Sequence, residues 1–334
     1  MIPTVQENLF ARFAHRVQLR FREAGGATAA LDGTASPLHA WPLNDDSDRF
    51  TITSTSGTIG ALLALSALVL VLYGQILWSM AQQWWSDPNY GHGFLVPVFA
   101  AYVLWRERDR TRGIPAQPSP WGVSIMVAAI GLLILGTLGA EHFTARVSFI
   151  VLISGMIVFF AGWRALRSMS FPIGYLIFMI PLPAIVYYQM TFPLQLLASR
   201  MGASGLVALG VPTVREGNLL ILPNITLEVV EACSGVRSLL SLLAAVVGYV
   251  HLAEPIFWKR CLLVASTVPI VILSNGLRLI ASGELSFHYG ASADSGFPHA
   301  VLGLICFAIA FLSILVLHRL LRRGEVKSIP APVH

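Results

Sequence analysis

Three residues with the chemistry for acyl transfer stand at the ends of apolar runs: Cys233, Arg278 and His299. Cys233 precedes the run Gly235–Leu252, and His299 opens the run Phe297–Leu317. Arg278 lies about four residues before the end of Trp258–Ser282, roughly 6 Å of helix. If consecutive runs cross a bilayer in alternate directions, all three fall in one layer near one boundary. A thiol with a pKa near 8.5 is a poor nucleophile until a histidine or a cation favours its thiolate. A carbonyl under attack develops an oxyanion, which a guanidinium stabilises in a low-dielectric setting. The positive end of a helix beside Cys233 would also favour the thiolate.

Neighbouring residues supply candidate support. Glu231 and Ser234 flank the cysteine, and Arg237 follows four residues on, a spacing that shares one helical face. Asn275 precedes Arg278 by three residues and shares its face, where it can orient the arginine or the histidine. Arg237 and Arg278 read as the basic residues inside a span away from its cytoplasmic end, where a charge needs a partner, water or a role. Plainer readings stand beside these. Arg278 can snorkel to headgroups, and a histidine at a helix start is often a surface group. His92, in Tyr90-Gly91-His92-Gly93, is the rival base. Cys261 and Cys306 read as small inert hydrophobes.

The elements that must position these groups are membrane spans. Hydrophobic residues make up 55% of the 334 positions and charged residues 12%, and the mean hydropathy is +0.70. A soluble domain carries about twice that charge, so an ordinary soluble globule and a disordered chain are both excluded. The net charge of +5 does not point to nucleic acid, because the basic residues are scattered over loops. The three cysteines form no CxxC pair and are too far apart to staple a fold. A hydrocarbon core about 30 Å thick needs roughly 20 apolar residues of helix. Runs of that kind are Ile59–Met80, Trp121–Leu138, Val147–Trp163, Phe171–Tyr188, Gly235–Leu252, Trp258–Ser282 and Phe297–Leu317. The shorter run His92–Trp105 makes an eighth. Trp78, Trp84, Trp85, Trp105, Trp121, Trp163 and Trp258 mark span ends, as interfacial aromatics do.

Arginine and lysine set the orientation. They crowd the segment before the first span (Arg12, Arg16, Arg20, Arg22), the loop with Arg106, Arg108, Arg110 and Arg112, and the tail with Arg319, Arg322, Arg323 and Lys327. The alternate loops are nearly free of them, with Arg146 alone in the loop before Val147. The expectation is an all-α polytopic protein with about eight spans and both termini cytoplasmic. Residues 1–57 read as a poorly ordered cytoplasmic tail, 58–318 as the membrane domain and 319–334 as a basic cytoplasmic tail. Within 189–232, Thr191–Val211 reads as an interfacial or re-entrant helix. Thr213–Val230 alternates apolar residues by twos around Glu216-Gly217-Asn218 and Pro223-Asn224, which predicts a small extracytoplasmic β-hairpin. Pro181 and Pro183 bend or end the fifth span.

These residues together resemble the exosortase/archaeosortase family. The resemblance rests on Glu231-Ala232-Cys233-Ser234-Gly235-Val236-Arg237-Ser238, then Asn275-Gly276-Leu277-Arg278, then His299 four residues before Gly303. Trp85-Ser86-Asp87-Pro88-Asn89-Tyr90-Gly91-His92-Gly93, Pro181-Leu182-Pro183 and Arg215-Glu216-Gly217-Asn218 add to it. It covers roughly residues 59–317. Val236 stands where Ile or Leu is more usual, which leaves the cysteine in place. The resemblance implies a cysteine protease or transpeptidase of the bacterial inner membrane, needing no metal or cofactor. Its implied partners are membrane lipid and exported proteins ending in a Pro-Glu-Pro motif, one transmembrane helix and a basic cluster (the PEP-CTERM tail). Many such bacteria make exopolysaccharide. Cys233 would be the nucleophile, with Arg278 and His299 beside it.

Two other readings of the same residues stay open at this level. A transporter or scaffold for polysaccharide export would account for the spans and the arginines, but gives Cys233 no role. A membrane acyltransferase working through a histidine would favour His92.

Overall fold

The computed structural model describes residues 56–229, 235–290 and 296–326, with side chains described over 63–229, 235–290 and 300–323. The chain separates after Thr58 into two units, and the architecture below belongs to the second. The expected N-terminal tail therefore lies outside the described residues, as does the C-terminal tail beyond Val326.

Helices dominate. Helix α1 runs Ser56–Ser86, and a 3-10 turn at Gly91–Phe94 leads into α2, Leu95–Arg106. After the one-turn α3 (Arg108–Arg112) come α4 (Trp121–Leu138) and α5 (His142–Ala161). Short helices α6 (Trp163–Ser168) and α7 (Ser170–Tyr175) precede a second 3-10 turn, Leu176–Met179, and α8 (Ala184–Ala208). Strands β1 (Val214–Glu216), β2 (Leu219–Ile221) and β3 (Thr226–Glu228) follow, then α9 (Val236–Ala253), α10 (Phe257–Tyr289) and α11 (Gly296–Val326).

Among the described residues, six helices are long and apolar enough to cross a membrane: α1, α4, α5, α9, α10 and α11. A seventh span is made if the bent pair Ser170–Met179 and Ala184–Ala208 is counted as one. Their outward faces are apolar, with Val71 82% exposed and Leu138 81%. Outside a bilayer such surfaces would aggregate, so the chain is a multi-pass membrane protein. Trp85, Trp105, Trp121, Trp163 and Trp258 are all exposed near helix ends, where interfacial aromatics belong.

Four expectations need correction. The helix α2 has 12 residues, about 18 Å at 1.5 Å per residue, so it falls short of a full span by itself. The fifth run does not continue to Tyr188: the chain turns by 75° after Met179. Pro181 and Pro183 remove backbone donors at that break, and Tyr187 and Tyr188 belong to α8. That helix is one continuous rod from Ala184, with Pro193 inside it, rather than an element starting at Thr191. The hairpin is a three-stranded antiparallel sheet in the order β1-β2-β3.

The sheet fixes the chain on its way to the cysteine segment. Leu220 pairs with Leu227, and both point into a core of Ala198 and Leu206 from α8 and Leu279 from α10. The first turn is pinned by Ser199, whose Oγ–H donates to Gly217 O at 2.9 Å. Asn224 Nδ2–H ties the second turn to Phe287 O of α10 at 2.8 Å. Val229 is buried, and its N–H donates to Asn218 O at 2.9 Å. Glycines let α8 and α10 meet closely: Gly202 faces Leu279, Gly205 faces Ile280 and Gly276 faces Met201.

The far ends of α9, α10 and α11 are held by a buried polar clasp. His318 of α11 donates from Nε2 to Glu254 Oε2 at 3.0 Å, and its Nδ1 lies 2.6 Å from the Tyr249 hydroxyl. Lys259, 1% exposed, donates to Leu321 O at 3.3 Å. Nearby, His251 stacks on Phe171 and meets Glu107 Oε1 at 3.0 Å, joining α9 to the turn after α2.

Candidate active site

Cys233, Glu231 and Ser234 lie outside the described residues. His299 lies in the first turn of α11, and its side chain is likewise outside them. The residues next to these candidates are described, and they locate where the segments meet.

Helix α9 begins at Val236 behind Gly235, whose φ of 83° lies in the left-handed region. Glycine enters that region without the penalty of a Cβ. The same glycine is needed sterically, because a methyl there would sit 3.0 Å from Cγ of Asn275. The chain two residues past Cys233 therefore rests on the α10 side chain expected to support the site. The helix starts after Cys233, so the four-residue spacing to Arg237 is not a helical one, and the shared-face argument for that pair does not apply.

Arg278 is one turn along α10 from Asn275 and reaches the third helix. A methyl on Gly303 of α11 would lie 3.6 Å from the Arg278 Cζ, and Gly303 is one turn after His299. Asn275 and Arg278 thus touch both segments that flank the undescribed candidates. A cleft between α9, α10 and α11 is lined by Ser238, Leu242, Val271, Ser274, Asn275, Arg278, Cys306, Phe307 and Ala310. Its wall is polar around Asn275 and Arg278 and apolar beyond.

The other flank of α9 carries Arg237 and His92. Arg237 Nε–H donates to Asn89 Oδ1 at 2.9 Å. His92, in the 3-10 turn, has Nδ1 3.2 Å from Ser241 Oγ, and its ring also hydrogen-bonds the Phe178 backbone. The ring is held by α9 and by the second 3-10 turn, which suits a fastener better than a base. Between them Tyr90 packs with Tyr187 and Val236. Burial, with the Tyr187 and Asp87 side chains adding to it, pushes the Tyr90 hydroxyl up to about 12. Trp84 Nε1–H donates to Met179 O at 2.8 Å, with Gly93 against its indole. The segment Asp87–Gly93 is thus a built wall on the start of α9.

Asn89 and Arg146 do more than their sequence context shows, and Cys306, expected as a small hydrophobe, is buried and also lines the cleft. Cys306 stands there beside Arg278, and Ser274 Oγ–H donates to its carbonyl at 2.8 Å. Its helical register with Gly303 was the available signal. Asn89 was seen only as part of a motif block. Arg146 was assigned to a loop, yet it lies in α5 and is 7% exposed. Its place five residues after the helix-capping Glu141 was the sign of a helix already begun.

No curated protein and no solved structure matches the chain. The family model described as transmembrane exosortase matches residues 84–316. That stretch starts at the Trp84 wall, contains the sheet, Gly235, Asn275, Arg278 and Gly303, and covers about two thirds of the chain. The protein is therefore a member of the transmembrane exosortase family.

Proposed function

We propose that this exosortase is a cysteine protease or transpeptidase that removes a C-terminal sorting tail from exported proteins. The tail would carry a Pro-Glu-Pro motif, a transmembrane helix and a basic cluster. The observation that carries this reading is the double contact of one α10 turn: Asn275 against Gly235 and Arg278 against Gly303. Arg278 thus lies against the helix that carries His299, and Asn275, one turn away, against the glycine that follows Cys233.

In this mechanism the substrate helix docks against the bundle and brings its motif to the mouth of the site. His299 takes the thiol proton of Cys233. The sulfur attacks the scissile carbonyl carbon, and Arg278 stabilises the oxyanion. Collapse breaks the C–N bond, the imidazolium gives its proton to the leaving amine, and a thioester remains. An incoming nucleophile, deprotonated by the same imidazole, then displaces the thiolate. Arg237 binds the glutamate of the motif. The crowding of Lys and Arg on alternate loops supports an inner-membrane location with cytoplasmic termini and a periplasmic site.

The histidine-acyltransferase alternative is disfavoured by His92, whose ring is held by Ser241 and the Phe178 backbone. The test is the Cys233→Ala variant, co-expressed with a tailed substrate. Processing should vanish while the protein stays inserted, and mass spectrometry of the wild type should trap a substrate thioester on Cys233. Continued cleavage by the alanine variant would refute the assignment.

A further inference from the structure

Arg146 is a buried cation that the proposed mechanism does not use. It lies on the second turn of α5, 7% exposed, with a buried Nε that has no hydrogen-bond partner. Among the described residues it forms no ion pair. The two groups whose charge reaches it are Glu141 and Tyr90. Glu141 is already engaged in capping its own helix: Oε1 accepts from Phe143 N at 3.2 Å and Oε2 from Thr144 N at 2.6 Å. Tyr90, with its hydroxyl near 12, is uncharged at neutral pH. A guanidinium in such a setting is costly unless an anion completes it.

The location says what kind of anion. Ala145 and Ser148 beside it are also buried, and Ser148 Oγ bonds the Tyr73 hydroxyl of α1 at 3.0 Å, so this face of α5 looks into the bundle and away from the lipid rim. Tyr90, near Arg146, packs on Val236 at the start of α9. Asn89, the preceding residue, holds Arg237 through Nε, leaving the terminal nitrogens of that guanidinium without a hydrogen bond among the described residues. Two arginines from different helices are thereby drawn toward one step of chain, Arg237 by its hydrogen bond to Asn89 and Arg146 by its nearness to Tyr90. The planar guanidinium fork matches a carboxylate or a phosphate. With the Glu141 charge close by, a monoanion fits better than a dianion.

We propose that Arg146, together with Arg237, receives a carboxylate side chain of the polypeptide bound at this site, and that Arg146 sets the preference for an acidic residue there. This rests on the reading above that the site takes polypeptide tails. It adds a second, buried anchor that the reading did not contain.

The experiment measures binding, so that it does not depend on the cysteine chemistry. The full chain carrying Cys233→Ala is placed in nanodiscs of neutral phosphatidylcholine. Fluorescence anisotropy then compares a peptide with one glutamate between two prolines with its glutamine twin. The glutamate peptide should bind at least about tenfold tighter, a difference of one favourable charged contact. Adding Arg146→Gln should cut that preference to about threefold or less, the remainder coming from Arg237, while the twin's own affinity stays within about twofold, the margin that marks an intact fold. Arg146→Lys should keep part of the preference. Equal loss for both peptides, a preference undiminished by Arg146→Gln, or no binding of either peptide would overturn the proposal. A lipid phosphate as the true occupant would appear as loss of the preference when anionic phosphatidylglycerol is added, and would also overturn it. If Cys233→Ala proved to retain processing, the catalytic reading would fall, and the glutamate preference of Arg146 would still be read here.

Discussion

The Arg278 guanidinium of α10 lies against Gly303 of α11, so that a methyl on that glycine would stand 3.6 Å from Cζ and 3.7 Å from Nη2. That spacing is ordinary van der Waals contact, with room for one carbon and no more. Gly303→Ala should leave folding intact and reduce turnover only a few fold. Gly303→Leu should push the guanidinium aside and lower kcat by about tenfold or more, the effect of losing roughly 1.4 kcal/mol of oxyanion stabilisation. Turnover of a tailed substrate by the two variants checks this, and equal activities would mean that Arg278 is not held by this contact.

Gly235 combines a φ of 83° with a 3.0 Å approach to Asn275. Gly235→Ala should cost about 1–2 kcal/mol for the left-handed conformation alone, and more for the contact. The thermal midpoint in detergent should fall and processing should fall further, because the strain moves the start of α9 off Asn275. Asn275→Ala in the same background should partly restore the midpoint without restoring processing.

Asn89 accepts from Arg237 Nε. Asn89→Ala should weaken peptide binding, a half-buried bond to a charged group contributing about 1–2 kcal/mol. Asn89→Asp keeps the acceptor and adds a negative charge beside the arginine. It should preserve stability and still weaken binding of an acidic peptide, whereas a glutamine-bearing peptide should be affected little. Affinities for the two peptides, measured in each variant, separate these outcomes.

The clasp at the other end of the bundle predicts a pH response. Burial alone would raise the Glu254 carboxyl, but the Ile256 N–H, the His318 side chain and the Lys259 charge outweigh it and hold the carboxyl below 4.5. A carboxyl depressed on folding contributes stability above its unfolded value, and that stability is lost as pH falls through the lower folded value. The thermal midpoint should therefore drop as the pH is taken below 4.5. Glu254→Gln should start lower and show a flatter acid limb. His318→Ala removes one side of a buried pair and should cost about 3–5 kcal/mol.

The membrane class, most span positions and the break at Pro181 and Pro183 were legible because they depend on composition and on backbone chemistry local to a few residues. Alternation also foreshadowed the meeting of Arg278 with α11 one turn after His299, because it brings the ends of consecutive spans to one boundary. The eighth span and the fifth run were misjudged for a single reason. Apolar length says that a segment avoids water, and does not say whether it spans, bends or lies across its neighbours. The third strand went unseen because three-residue strands carry too few alternations to register.

By itself the sequence determined the chemistry on offer: one cysteine beside a glycine at the head of an apolar run, an Asn-x-x-Arg step, a histidine opening the last span. It did so because such polar groups are costly in lipid and therefore few. Only the tertiary structure decided which of them meet. The contact of Gly235 with Asn275, the closure of Arg278 on Gly303, the capture of Arg237 by Asn89 and the burial of Arg146 all join residues far apart in the chain. Such contacts depend on how helices pack and rotate, which no local spacing encodes.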